Sequence, residues 1–260
     1  MTNIVVLIKQ VPDTGSERKL NDADFTLDRE IDPVICEITE KAVEEALQIK
    51  EANGGEVTVL TAGPDKATDA IRKALSMGAD KAIHINDELL HGSDAVQTAY
   101  VLAAALGTVE GVELVIAGNE ASDGRVGAVP AMIAEYVELP HLTSLRKVTV
   151  DGEKVTGERE TDEGITTVEG TLPAIVSVNE KINEPRFPSF KGIMAAKKKT
   201  IEVLTLADLG IEADVVGLAN AGSKVTAVTP KPAKQAGERV VDEGDGGTKV
   251  AEFLVGQKII

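Results

Sequence analysis

The chain has 260 residues, with 27 basic against 43 acidic side chains and a net charge of −16. That balance opposes nucleic acid or an anionic membrane as a partner, because both require a positive footprint. A solubilised surface accounts for the excess acid, and adaptation to a salt-rich cytoplasm is the alternative. The hydrophobic fraction of 43% is ordinary for a globular protein, but Trp is absent and only four Phe and two Tyr occur, so aliphatic residues must fill the core. Cys36 is the only cysteine, which excludes an intramolecular disulfide or a CxxC redox pair. His84, His91 and His141 are scattered without ligand spacing, which argues against a metal site. No stretch has the pattern of a signal peptide, and none approaches the roughly 20 apolar residues of a membrane span. A cytoplasmic protein without membrane insertion is expected.

Residues 4–8 form a continuous apolar run, as a buried parallel strand should. Helical spacing follows over 36–53, where Ile38, Ala42, Ala46, Leu47 and Ile49 make a stripe that Asn53-Gly54-Gly55 ends. A strand over 57–60 leads to a helix over 65–77, stopped by Gly78. Further strands are expected at 82–85 and 114–117, with helices at 93–106 and 127–137. This alternation implies a mostly parallel α/β sheet with helices on both faces. The pattern then changes. Residues 147–150, 154–158 and 166–169 are β-rich and separated by Asp151-Gly152 and Glu163-Gly164, as in an antiparallel meander. Residues 174–178 return to a buried strand.

Beyond about 205 the compact pattern weakens, and 229–249 has the Pro, Gly and charged composition of a linker. An amphipathic segment at 249–259 carries Val250, Phe253, Leu254 and Val255. The expected organisation is therefore a domain over 1–205 and a C-terminal arm over 206–260 that docks on its own domain or on a partner.

Three stretches carry chemistry. The first runs Asn119, Glu120, Ala121, Ser122, Asp123, Gly124, Arg125, Val126, Gly127, Ala128, Val129, between a strand and a helix. Its glycines allow close backbone approach, the helix start suits a phosphate, and Arg125 adds a charge. An ordinary Gly-containing connection gives the same pattern. The second is Ala62-Gly63-Pro64, with Leu7 and Lys9 at the end of the first strand. Ligands of open parallel sheets collect at such strand ends. A solvated surface lysine is the alternative for Lys9.

The third stretch begins Glu184-Pro185-Arg186-Phe187-Pro188-Ser189-Phe190 and ends in Lys197, Lys198 and Lys199. Phe187, Phe190, Ile193 and Met194 stand at helical spacing beside this basic cluster, on an acidic protein. Apolar anchors with a charged rim suit a docking element, and a core helix with a solvated basic end is the alternative.

Asn183-Glu184-Pro185-Arg186, with Phe190, Ile193-Met194, the lysine run and Ile201-Glu202-Val203, resembles the signature of the electron transfer flavoprotein beta subunit family. Residues 71–80, Glu44-Glu45-Ala46-Leu47, Val11-Pro12-Asp13 and Arg159-Glu160 are further matches. The resemblance implies an adenine nucleotide alpha hydrolase-like fold. It also implies AMP held by residues 119–129, Ala62, Gly63, Leu7 and Lys9, with FAD bound mostly by a separate alpha subunit. Phe190, where the family usually has Leu, becomes the anchor of a loop that grips dehydrogenases such as acyl-CoA dehydrogenases. Glu160 matches an acidic residue that pairs with an arginine of the alpha subunit near the flavin.

The implied role is electron transport in fatty acid oxidation, without substrate chemistry of its own, ending at a quinone-linked oxidoreductase. There are departures. Asp32-Pro33-Val34 stands where Asn-Pro-Phe is common, and the nucleotide loop is short, with Arg125 at a usually small or acidic position. Both changes touch the nucleotide contacts. Some relatives hold a second FAD in place of AMP and bifurcate electrons. A stand-alone nucleotide-binding enzyme or sensor is the remaining alternative, although no nucleophile–base pair marks it.

Overall fold

Apolar runs become strands here and the amphipathic stretches between them become helices. The computed structural model describes residues 1–229, 231–233, 237, 239 and 241–260. In chain order the elements are β1 (Ile4–Leu7), β2 (Gln10–Pro12), β3 (Pro33–Ile35), α1 (Glu37–Asn53), β4 (Val57–Ala62), α2 (Ala67–Met77) and β5 (Lys81–Ile85). Then come α3 (Ala95–Leu106), β6 (Leu114–Gly118), α4 (Val129–Tyr136), β7 (His141–Asp151), β8 (Lys154–Thr161), β9 (Gly164–Thr171) and β10 (Ala174–Val178). The last are α5 (Phe190–Ala196), β11 (Glu202–Leu204) and α6 (Gly246–Gly256).

One nine-stranded sheet has the order β11-β5-β4-β1-β6-β10-β7-β8-β9, parallel up to β7 and antiparallel from there to β9. Beside it, β2 and β3 form a two-stranded antiparallel sheet that periodicity does not reveal, because each is three residues long. β1 sits between β4 and β6, so the chain leaves it toward one side and returns on the other. That reversal opens a crevice at the C-terminal ends of β1 and β6, where parallel sheets take ligands.

Alternate residues of the strands feed two cores. Ile4, Val6, Val57, Val59, Leu114 and Ile116 pack with Ala42, Val43, Ala46, Ile71 and Ala74 of α1 and α2. Val5, Leu7, Leu60, Val115 and Ala117 pack on the other face with Ala99, Leu102 and Ile133 of α3 and α4. Burial on both faces explains why the strands read as unbroken apolar runs. α3 starts at Ala95, not 93, because the Asp94 carboxylate accepts from the N–H groups of Val96 and Gln97 in a capping box. α2 ends at Gly78, whose φ of 138° is readily open only to glycine.

The meander strands are longer than expected. β7 begins at His141, and its buried residues Leu142, Leu145 and Val148 stand three apart because the strand is irregular there: Ser144 has a φ of 54° and the pairing with β8 shifts register between Leu145 and Lys147. By compactness the chain divides into one unit over Met1–Thr226 and a second over Ala227–Ile260. Leu206, Ile211 and Val216 are buried in the core of the first unit, and their aperiodic spacing is why the compact pattern weakens there in the sequence. The second unit, Ala227–Ile260, contains α6 with Val250, Phe253 and Val255 exposed. The helix begins at Gly246, where sequence spacing suggested 249. The linker expected at 229–249 falls partly on residues 230, 234–236, 238 and 240, which lie outside the described residues. Among the described residues no helix is long and apolar enough to cross a membrane.

Candidate functional site

Three neighbouring strands of the sheet deliver their C-terminal connections to the switch-point crevice. After β1 comes Lys9, after β4 come Ala62 and Gly63, and after β6 comes the 119–128 loop, leading into Val129 of α4. His84, buried on β5, places its Nε2 2.9 Å from the Gly63 carbonyl oxygen, and the Gly63 N–H donates to Ile85 O. These bonds fix the second loop. The 119–128 loop is pinned to the sheet by the Asn119 N–H donating to Val178 O.

Inside this loop Asp123 is the electrostatic centre. Its side chain is 1% exposed, and Oδ1 accepts from Lys9 Nζ at 2.8 Å while Oδ2 accepts from Arg29 Nη1 at 3.4 Å. The Gly124 N–H donates to Oδ1 as well, at 2.7 Å. Burial pushes the Asp123 carboxyl up, but Lys9, Arg29 and the Gly124 N–H outweigh it and hold the group below the usual carboxylate range. Burial is also the main influence on Lys9, lowering its amine against the opposing pull of Asp123.

Four buried polar atoms around the crevice make no hydrogen bond: Gln10 Oε1, Thr61 Oγ1, Asn119 Oδ1 and Ser122 Oγ. Buried polar atoms are normally satisfied, so a cluster at strand ends calls for a polar ligand. α4 adds an uncapped start: Ala128 supplies no side-chain oxygen to the free N–H groups. The residues therefore suit a small polar ligand, with Lys9, the loop backbone and these orphaned atoms able to hold it. Arg125 stands at the outer side of the loop. Its φ is 49°, its side chain is two-thirds exposed, and its nearest ionic partner is Glu120 at 3.8 Å.

The stretch at 184–199 has the opposite character. Phe187 is 95% exposed and Phe190 82%, with Ile193 and Met194 also exposed. Phe187 does not share a helix with the others. Pro188 precedes the N-cap Ser189, whose oxygen accepts from the Gly192 N–H, so α5 begins at Phe190. Glu184 is exposed and within 3.3 Å of Lys41 Nζ. Arg186 turns back onto α1, while Lys197 and Lys198 end α5. Lys197 also lines a cavity of about 410 Å³ with Arg72, Lys73, Ser76, Ile193 and Ala196.

Glu160, on β8, accepts from Arg146 Nη1 at 3.2 Å and from Lys181 Nζ at 3.1 Å. Hydrogen bonds from Lys181 and Arg146 hold its carboxyl below the usual range. It is therefore held by cations of its own chain, not left free. Arg29 is the residue that sequence reasoning missed. It lies in the irregular segment between β2 and β3, and only a fold that carries this segment back to the 119–128 loop brings it to Asp123. Gln10 and Thr61 carried no signal either, as single polar residues beside apolar runs.

Comparison with known proteins meets this geometry. The electron transfer flavoprotein domain family matches residues 24–209. The electron transfer flavoprotein subunit beta of Mycobacterium tuberculosis is 71% identical over 266 aligned residues, covering 100% of both chains. That of Mycobacterium leprae is 70% identical with the same coverage, and that of Megasphaera elsdenii 35% identical over 99% of each chain. With a likeness that runs from end to end, this chain belongs to the electron transfer flavoprotein beta subunit family.

Proposed function

We propose that this chain is the small subunit of a heterodimeric electron carrier. Its partner is a separate alpha subunit that holds most of the FAD. The carrier takes electrons from dehydrogenases such as acyl-CoA dehydrogenases in cytoplasmic fatty acid oxidation. It delivers them to a quinone-linked oxidoreductase. The chain itself performs no substrate chemistry.

One observation supports this reading above the others: Phe187, Phe190, Ile193 and Met194 stand exposed beside Lys191, Lys197 and Lys198 on a chain of net charge −16. Four large apolar side chains in one exposed segment suit burial against another protein. The lysines favour a partner whose apolar socket has an acidic rim. Phe190 would anchor the dehydrogenase while the flavin-bearing part of the heterodimer reorients. Bound FAD supplies the electron chemistry, and Glu160 would orient the alpha subunit through one of its arginines, in competition with Arg146 and Lys181. AMP in the crevice, held by Lys9, Ser122 and the backbone at 123–127, would be structural.

Co-expression with the alpha subunit and acid extraction of the purified complex tests the cofactors. One FAD and one AMP per heterodimer is the expected result. Two FAD would replace the AMP reading with electron bifurcation. The absence of flavin from the intact complex would sink both.

A further inference from the structure

The exposed segment is tied down at both ends by polar groups of α1 and α2. On the entry side, Arg186 lays a two-pronged guanidinium on α1. Nε and Nη2 donate to Glu44 Oε2 and Oε1 at 2.7 and 3.0 Å, and Nη1 and Nη2 donate to Glu51 at 2.5 and 3.2 Å. The Arg186 backbone N–H adds a bond to Glu44 Oε2 at 3.1 Å. Glu44 is almost fully buried on α1, so its charge requires such a partner. Asn183 joins from the preceding turn. Its Nδ2 donates to Lys41 O and Glu45 Oε2, and its backbone carbonyl accepts from Lys41 Nζ.

On the exit side the partner is α2. Arg72 Nη1 donates to the carbonyls of Ala196 and Lys199, both at 2.6 Å, and Lys199 Nζ donates to Ala79 O. Between the two ends α5 rests directly on α2. Ala196 is buried, and a Cβ at Gly192 would overlap the Ser76 carbonyl oxygen. A helix of seven residues has little stability of its own. Its shape must come from these attachments.

We propose that Arg186, through Glu44 and Glu51, is a positioning residue that preorganises the segment at 187–196 for docking, with Arg72 and Gly192 completing the clamp on α2. The inference rests on the docking role proposed above for Phe190. A segment already ordered loses little further entropy when a partner binds. If the clamp is opened, the apparent affinity falls in proportion to the fraction of molecules that still hold the docking shape. The requirement is for a fork and not only a charge, because one guanidinium spans two carboxylates.

The test uses the purified heterodimer with its flavin. The main variant is Glu44→Gln combined with Arg186→Met, which avoids stranding the Glu44 charge. Amide hydrogen exchange across residues 187–196 is read first. The KM for the heterodimer in reduction by an acyl-CoA dehydrogenase is read second, with Phe190→Ala in parallel. Exchange should rise about tenfold or more in the clamp variant, and KM should rise by a similar factor, with the effect on KM and not on kcat. Unchanged exchange overturns the clamp. So does faster exchange with an unchanged KM when Phe190→Ala does weaken docking. An unchanged KM in Phe190→Ala instead refutes the docking role, and exchange then decides the clamp alone.

Discussion

The loop at 119–128 and the segment at 184–199 break the same rule in opposite directions. The loop and its surroundings bury charge and polar atoms, with Asp123 sealed between Lys9 and Arg29 and four hydroxyl or amide oxygens nearby left unpaired. The segment exposes Phe187 and Phe190 to water. Each departure is costly in isolation, because buried polar groups need partners and exposed aromatic rings forgo burial. The contrast shows how the missing contacts differ. The loop lacks hydrogen-bond partners, which a small polar ligand supplies. The segment lacks apolar cover, which a protein surface supplies.

Substitutions should separate the two regions. Replacing Asp123 with Ala leaves Lys9 and Arg29 without their shared carboxylate. Urea unfolding should show a loss of about 3 kcal/mol, on the scale of breaking a buried ion pair. The same variant should lose its nucleotide on purification. A stability within about 0.5 kcal/mol of the parent would mean that the cluster is not a structural centre. Phe190→Ala should do the reverse. Electron uptake should slow by roughly 30-fold in kcat/KM, the size of an interface anchor of about 2 kcal/mol. Its melting temperature should not move, because the ring is 82% exposed in this chain.

Acid sharpens the comparison further. The folded Asp123 carboxyl lies below its ordinary value, so its contribution to stability is complete above the unfolded pKa of about 3.9 and is lost as pH falls through the lower folded value. Urea midpoints measured from pH 7 down to pH 3 should show a steeper acid decline for the parent than for Asp123→Asn. Parallel curves would mean that the group is not coupled to folding. Phe190→Ala should follow the parent throughout. The smallest effect is expected at Glu160, whose partners Arg146 and Lys181 are both partly exposed. Glu160→Ala should change the transfer rate a few-fold and leave the melt unaltered. Loss of heterodimer assembly in that variant would make its role architectural.

Legibility differed between the two regions for a physical reason. Exposed apolar residues announce themselves in sequence when they sit beside lysines, as Phe190, Met194 and Lys197 do. The start of α5 was misplaced only because Pro188 and Ser189 reset the helix. The loop showed its glycines, but not the charge that organises it. Arg29 lies 94 residues from Asp123, and Arg186 lies 142 from Glu44. Neither distance has a local signature. The segment after 205 carried little signal for a related reason, since Leu206, Ile211 and Val216 are buried but follow no helix or strand period.

The order of residues by itself determined the family and the elements of the α/β sheet other than the edge strand β11, which is three residues long and largely exposed. Strand burial and helix amphipathicity are periodic, and period is readable along a chain. Only the tertiary structure decided which charges meet, where the first unit ends, and that α5 is seated on α2. Those outcomes depend on where β1 lies in the sheet and how each connection returns to it, and ion pairs form between groups that the fold, not the chain, makes neighbours.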